Sequence, residues 1–261
     1  MTKCEETWHA KRFLDHSSLG THVSNWAMNV NLKTDPRLEH LAEAPIPTAF
    51  GTFRVLVFRY RDPEAHPGLS DEHLALVMGD VTDGEDVPVR VHSECLTSEV
   101  LGSLKCDCKE QLESAQATVG KCKRGIILYL RQEGRGIGLA NKIKAYALQE
   151  QGADTVEANE QLHLPVDARQ YDVAAAMLQH LQVRSIRLMT NNPEKTESLE
   201  RLGVHISGRI SLQIPANEYS AAYLSVKRDR MRHELSGELS PSPPPPSDHT
   251  NDAPANEVPS T

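Results

Sequence analysis

Cys95, Cys106 and Cys108 carry the most chemical meaning in the chain, because three of its five cysteines fall in one short window. They lie in Arg90-Val-His-Ser-Glu-Cys95 and Lys105-Cys-Asp-Cys108-Lys-Glu-Gln111, with the spacing C-x10-C-x-C. Thiolates are soft ligands suited to zinc, and a Cys-x-Cys at a strand-to-turn junction can aim both sulfurs at one ion. Three protein ligands leave a fourth position for water, the mark of an open, catalytic zinc. Two other readings stand beside it: a closed structural site completed by Cys122 or His92, and buried free thiols. His92-Ser-Glu94 also brings to mind the H-x-E of zinc deaminases, but their second half, P-C-x-x-C, is replaced here by a Cys-x-Cys that follows Lys105.

Two further stretches could hold phosphate. Glu133-Gly-Arg-Gly-Ile-Gly138 sits between a predicted strand and a predicted helix, where backbone N–H groups and a helix N-terminus favour anions. It matches neither G-x-G-x-x-G nor G-x-x-x-x-G-K-[ST], and a tight structural turn explains it equally well. Arg131 and Arg135 add guanidinium groups able to neutralise a polyphosphate. Thr190-Asn-Asn-Pro-Glu-Lys195 is a second such junction, bearing a hydroxyl and an ammonium, although capping accounts for its asparagine and proline. Asp167-Ala-Arg169 places an acid and a guanidinium two apart, to act together or to pair in solvent.

The elements that must position these residues follow from periodicity. Phe50 to Tyr60, His73 to Met78 and Val87 to His92 read as three strands of a meander, antiparallel at least in part, with the cysteine window at the end of the third. Lys109 to Val119 reads as a helix ended by Gly120, and Gly125 to Leu130 as a buried strand feeding the glycine loop. Leu139 to Gln151 reads as a helix with Leu139, Ile143, Ala147 and the neighbouring Tyr146 near one face. A helix over Asp172 to Leu181 and a strand over Ser185 to Thr190 come next. A helix over Pro193 to Leu202, capped by Asn192 and closed by Gly203, leads to a strand from Val204, which completes a βαβ-like unit. The expected fold class is mixed α/β: an antiparallel or mixed sheet followed by βαβ-like units in one domain.

Composition sets the frame. The chain has 261 residues, is 39% hydrophobic and 25% charged, and can bury a sizeable core. Its net charge of -8 argues against binding nucleic acid, which needs surplus Lys and Arg to displace counterions. No apolar run approaches the roughly 18 residues needed to span a bilayer, and the opening Met1 to Glu6 lacks the apolar core of a signal peptide, so a cytoplasmic protein with no membrane partner is expected. Clustered, odd-numbered cysteines fit reduced thiols or metal ligands better than disulfides. Residues 1–44 read as an N-terminal extension of unknown role, 45–235 as the folded domain, and 236–261, rich in Pro and Ser, as a disordered tail.

Taken together these blocks resemble GTP cyclohydrolase II, from about Pro45 to Leu235. The residues that carry the resemblance are RVHSEC at 90–95, SLKCDC at 103–108, RQEGRGIGL at 131–139, NKIKAYALQEQGADTVEAN at 141–159, DAR at 167–169 and TNNPEK at 190–195. The resemblance implies one zinc ion per chain on Cys95, Cys106 and Cys108. It implies GTP contacts from Arg90, Val91, His92, Ser93, Glu94, Gln111, Glu133, Gly134, Arg135, Thr155, Thr190 and Lys195. Asp167 is then the proton acceptor, Arg169 the residue usually termed the nucleophile, and Tyr146 an aid at the base. Mg²⁺ would accompany the triphosphate, and the enzyme would be a homodimer.

The implied reaction opens the guanine imidazole ring at C8 and releases formate and pyrophosphate, the first step of riboflavin biosynthesis. A sibling hydrolase stopping at the formamide, and a non-catalytic GTP-binding regulatory paralogue, are the alternatives; retention of Tyr146 favours the complete reaction. A guanidinium with a pKa above about 12 has almost no free lone pair at pH 7, so stabilising the phosphoryl transition state is the physically easier role for Arg169. One segment departs from the family: Gln213 to Leu224 stands where an asparagine- and proline-rich loop is usual.

Overall fold

A computed structural model describes residues 35–63, 66–212 and 214. The arm before residue 35, the tail from 236 and, apart from Ile214, the Gln213 to Leu224 segment lie outside the described residues. Seven strands form one mixed sheet: β1 (Leu38–Thr48), β2 (Gly51–Tyr60), β3 (Glu72–Met78), β4 (Val87–Ser93), β5 (Gly125–Leu130), β6 (Ile186–Met189) and β7 (Ile206–Ile210), in the order β1-β2-β3-β5-β4-β6-β7. Pairing is antiparallel from β1 through β2 and β3 to β5. It is parallel between β4 and β5, β4 and β6, and β6 and β7. The helices are α1 (Leu96–Glu99), α2 (Cys108–Cys122), α3 (Leu139–Gln149), α4 (Thr155–Gln161), α5 (Asp172–His180) and α6 (Pro193–Arg201), with a 3-10 turn over Glu133–Gly136. No helix among the described residues is long and apolar enough to cross a membrane.

Burial follows the sheet's two halves. In β3 buried and half-buried residues alternate, as in a strand covered mainly on one face, whereas β4 is buried from Val87 to His92 without a break. Unbroken burial is expected where parallel strands are covered on both sides. One face packs Val87, Val89, Val91, Ile126, Leu128 and Leu188 against Val173 and Met177 of α5 and Leu199 of α6. The other packs Phe53, Ile127 and Met189 against Ala115 and Val119 of α2.

Several elements differ from the sequence-based expectation, each for a physical reason. Residues 38–44, assigned to the N-terminal extension, belong to β1, which pairs along β2. This edge strand is mostly exposed, so it shows no apolar alternation, and its Pro45 and Pro47 are tolerated at an edge. The third strand of the expected meander, β4, does not pair with β3, because β5 lies between them.

The helices depart in similar ways. α2 passes through Gly120 and ends at Cys122, where Lys123 adopts a left-handed conformation (φ 50°). Gly120 serves packing instead: a Cβ there would lie 2.4 Å from the carbonyl oxygen of Phe50. In α3 the buried side chains are Lys142 and Ala145, while Leu139 and Ile143 face outward, 37% and 48% exposed. α6 forms as expected, with the Asn192 side chain accepting the Glu194 N–H at 3.0 Å and Pro193 in its first turn.

Candidate functional site

Three loops leave the carboxyl ends of adjacent parallel strands: the Glu94 to Cys95 turn after β4, Arg131 to Gly138 after β5, and Thr190 to Asn192 after β6. From β4 the chain crosses to β5 on one side, and later to β6 on the other. That reversal opens a crevice at the strand ends, the usual ligand position in α/β sheets.

Cys95, Cys106 and Cys108 converge there, with their ligand atoms all within 4.8 Å of one another. Cys95 Sγ and Cys106 Sγ lie 3.6 Å apart, and both residues are buried. Neither of the other expected candidates joins this group among the described residues. Cys122 closes the far end of α2, roughly 20 Å along the helix axis at 1.5 Å per residue. The His92 ring is engaged elsewhere, Nε2 contacting Glu99 Oε1 at 2.7 Å. Three thiolates are a donor set that fits a soft or borderline divalent ion.

Groups around the cysteines hold this turn, and of them the sequence singles out only Glu133. Glu99 Oε1 accepts the Cys95 N–H at 3.1 Å, and its Oε2 accepts the Tyr129 hydroxyl at 2.5 Å. Glu133 Oε2 accepts the Leu96 N–H at 2.7 Å. Lys142 Nζ donates to Cys95 Sγ at 3.0 Å and to Glu133 Oε1 at 2.8 Å. Hydrogen bonds from Cys106 and Cys108 hold the Cys95 thiol well below its usual range, with the Lys142 charge adding and burial opposing. Burial by itself would pull Lys142 down, but Glu133 and Cys95 reverse it, so the ammonium persists.

Positive charge gathers at the crevice although the chain is acidic overall. Arg90 is pulled down to about 10 by burial and donates to the Met189 carbonyl at 2.9 Å and to Gln111 Oε1 at 2.5 Å. Gln111 Nε2 in turn donates to Asp107 Oδ2 at 2.6 Å, so Arg90 reaches the cysteine window through Gln111. Lys195 is buried and donates to the Val91 carbonyl at 2.8 Å. Arg131 Nε pairs with Glu94 Oε2 at 2.8 Å.

The Asp167 to Arg169 segment is docked onto the glycine loop. The Ala168 N–H donates to the Arg135 carbonyl at 2.9 Å, and Gln132 Nε2 to the Gln170 carbonyl at 2.8 Å. Asp167 and Arg169 form a two-pronged ion pair, with side chains 22% and 13% exposed, so they do not merely pair in solvent. Burial pushes the Asp167 carboxyl up, but the hydrogen bonds and charge of Arg169 outweigh it and hold it below the ordinary carboxylate range.

The remaining expected residues divide. The Tyr146 ring lies beside two ammonium groups, Lys105 Nζ at 5.4 Å and Lys142 Nζ at 5.8 Å from its centroid. Thr190 Oγ1 accepts the Asn192 N–H at 3.0 Å within the turn after β6. The Val91 side chain belongs to the core. His92 Nδ1, Ser93 Oγ and Arg90 Nε are buried polar atoms without a hydrogen-bond partner among the described residues. Gly134 is half-buried in the 3-10 turn with a left-handed conformation (φ 64°), and Thr155 opens α4 behind the Asp154 cap; the Thr155 side chain is not described. Lys142 escaped the sequence reading because only the tertiary fold aims it at the cysteine turn; Glu99 and Asp107 lie close to the cysteines in the chain but carry no motif spacing of their own.

Residues 39–211 match the family model described as GTP cyclohydrolase II. Among curated proteins, a riboflavin biosynthesis protein RibBA from Salinispora tropica is 51% identical over 222 residues, 85% of this chain and 54% of the relative. A GTP cyclohydrolase-2 from Acinetobacter baumannii is 49% identical over 75% of this chain and 96% of its own length. Another from Picrophilus torridus is 47% identical over 75% and 98%. The chain thus spans about half the length of its RibBA relatives and nearly all of the GTP cyclohydrolase-2 proteins. A solved structure, the two-domain 3,4-dihydroxy-2-butanone 4-phosphate synthase RibBX from A. baumannii, aligns with a TM-score of 0.39 at 20% identity, covering 69% of this chain and 42% of that one.

Proposed function

The chain belongs to the GTP cyclohydrolase II family, and from that membership we propose that it is a zinc-dependent hydrolase opening the guanine ring of GTP at C8. The products are formate, pyrophosphate and 2,5-diamino-6-(5-phosphoribosylamino)pyrimidin-4(3H)-one. The observation that carries this reading is the convergence of three thiols within 4.8 Å at the ends of parallel strands, beside a docked Asp167–Arg169 pair.

Cys95, Cys106 and Cys108 would hold the zinc. An ion held there would act as a Lewis acid and would make hydroxide available near neutral pH. The chain's own residues supply the rest. Arg90, Arg135 and Lys195 neutralise the triphosphate that Mg²⁺ accompanies, because phosphoryl chemistry needs preorganised positive charge. Arg169, fixed by Asp167, presents its guanidinium to the phosphoryl transition state, the role its chemistry supports. Asp167, ionised at neutral pH, accepts a proton. Tyr146, flanked by Lys105 and Lys142, assists at the purine base. The strands from Leu38 onward form the catalytic unit; the homodimer rests on the family resemblance, and a cytoplasmic setting suits a biosynthetic enzyme.

Incubating the full chain with GTP and Mg²⁺, with and without a chelator, and identifying the products by mass tests this reading. Formate release that zinc restores after chelation is expected. Zinc-loaded protein that leaves GTP untouched would overturn it, and a product that retains the formyl group would overturn the complete reaction.

A further inference from the structure

We propose that Lys142 is a positioning residue of the cysteine centre: its buried ammonium fixes Cys95 Sγ and, through Glu133, the turn that carries it, and so tunes that sulfur as a donor to a divalent metal ion. The inference rests on the reading of Cys95, Cys106 and Cys108 as a metal site.

The burial pattern of α3 is the first reason. The helix turns Lys142 inward while Leu139 and Ile143 remain outside, although either would bury apolar surface without a charge penalty. Burying an ammonium costs several kcal/mol unless it is paired and hydrogen-bonded. Lys142 meets that cost with Glu133 at 2.8 Å, the two side chains being 11% and 7% exposed.

The partners of Glu133 are the second reason. Its Oε1 accepts from Lys142 and from the Gly134 N–H at 2.7 Å, and its Oε2 accepts from the Leu96 N–H. Both oxygens accept hydrogen bonds inside the chain, so Glu133 joins the clamp. Leu96 is the residue after Cys95, and Lys142 reaches the Cys95 sulfur directly. One ion pair therefore grips a single cysteine at its sulfur and at its turn. A purely structural pair would need no contact with the sulfur.

An N–H donor to a ligating sulfur withdraws electron density from it and aims its lone pairs, and such outer partners tune metal sites. Cobalt(II) loaded into the full chain reports this without turnover, through its sulfur-to-metal charge-transfer bands. Lys142→Met is expected to move those bands to lower energy and to weaken metal binding, measured against a chromophoric chelator, by roughly 10- to 100-fold. Lys142→Arg, which keeps a cationic donor, should stay close to wild type on both measures. Lys142→Met with Glu133→Gln removes the stranded carboxylate and keeps a measurable protein if the single variant does not fold. Unshifted bands and unchanged affinity in the folded variants would overturn the inference alone. Wild-type protein that binds neither cobalt nor zinc would overturn the metal reading beneath it.

Discussion

The ammonium of Lys195 donates to the carbonyl oxygen of Val91 at 2.8 Å, tying the helix after β6 to the central strand β4. The contact holds a buried positive charge at the junction of two strand ends, and the proposed function assigns that charge to the triphosphate. A hydrogen bond to a charged group is worth about 1.5–3 kcal/mol, so Lys195→Met should raise the KM for GTP roughly 10- to 150-fold. Steady-state kinetics together with direct GTP titration check this. A variant with unchanged KM and lowered thermal stability would show that Lys195 serves the fold alone.

Gly136 sets the spacing between the glycine loop and the Asp167 to Arg169 segment. Its φ is +89°, and a Cβ there would lie 2.8 Å from both the carbonyl carbon and the oxygen of Ala168. Gly136→Ala must push Ala168 away and weaken its N–H bond to the Arg135 carbonyl. A displacement on the order of 1 Å at a catalytic group can cost about 100-fold, and that loss is expected in kcat/KM. Gly152→Ala, also at positive φ but with nothing among the described residues within 4 Å of the added Cβ, is the matched control for backbone strain. Equal losses in the two variants would show that strain, not docking, governs Gly136.

The sequence revealed local patterns and missed non-local ones. β5 was legible as a short apolar run and α6 by its Asn192 cap, since both signals lie within the element itself. The insertion of β5 between β3 and β4 was not, because strand neighbours far apart in the chain leave no periodicity to read. β1 was missed because an exposed edge strand need not alternate. At the site, the spacing of Cys95, Cys106 and Cys108 announced a cluster, and the fold brings the three together. Whether Asp167 and Arg169 paired in solvent or in a cleft depended on Ala168 docking against Arg135, which no local pattern encodes. Lys142 was hidden for the same reason: on a helix it reads as one more solvated cation until Glu133 and Cys95 surround it.

The Asp167–Arg169 pair gives a prediction with a definite sign. Burial raises the Asp167 carboxyl, but Arg169 outweighs it and the net shift is downward. A carboxyl with a lowered folded pKa stabilises the fold above its unfolded value of about 3.9, and that contribution is lost as pH falls through the lower folded value. Asp167→Asn should therefore be less stable than wild type at pH 6, with the gap closing toward pH 3 in urea unfolding. Removal of a general base typically costs about 100- to 10,000-fold, so kcat should fall by that order. A full rate in Asp167→Asn would remove Asp167 from the proton-transfer role.

His73 offers an acid-sensitivity test away from the cysteines. Its Nδ1 accepts the Arg131 N–H at 3.1 Å at the head of the glycine loop, and its ring is buried in β3. Burial lowers its pKa from 6.5 to about 4, with the nearby Asp71 opposing and Arg131 adding to the shift. The unfolded chain then binds a proton at this residue between about pH 6.5 and 4, while the folded chain does not, so stability falls as pH drops through that window. A shift of this size corresponds to about 3 kcal/mol at most. His73→Gln retains a side-chain acceptor for the Arg131 N–H but carries no titrating ring. Urea unfolding from pH 7.5 to 4.5 should show wild type losing more stability than the variant, by about 2–3 kcal/mol. Parallel curves for the two proteins would mean that His73 is protonated at no cost in the fold and that its bond to Arg131 does not hold the loop.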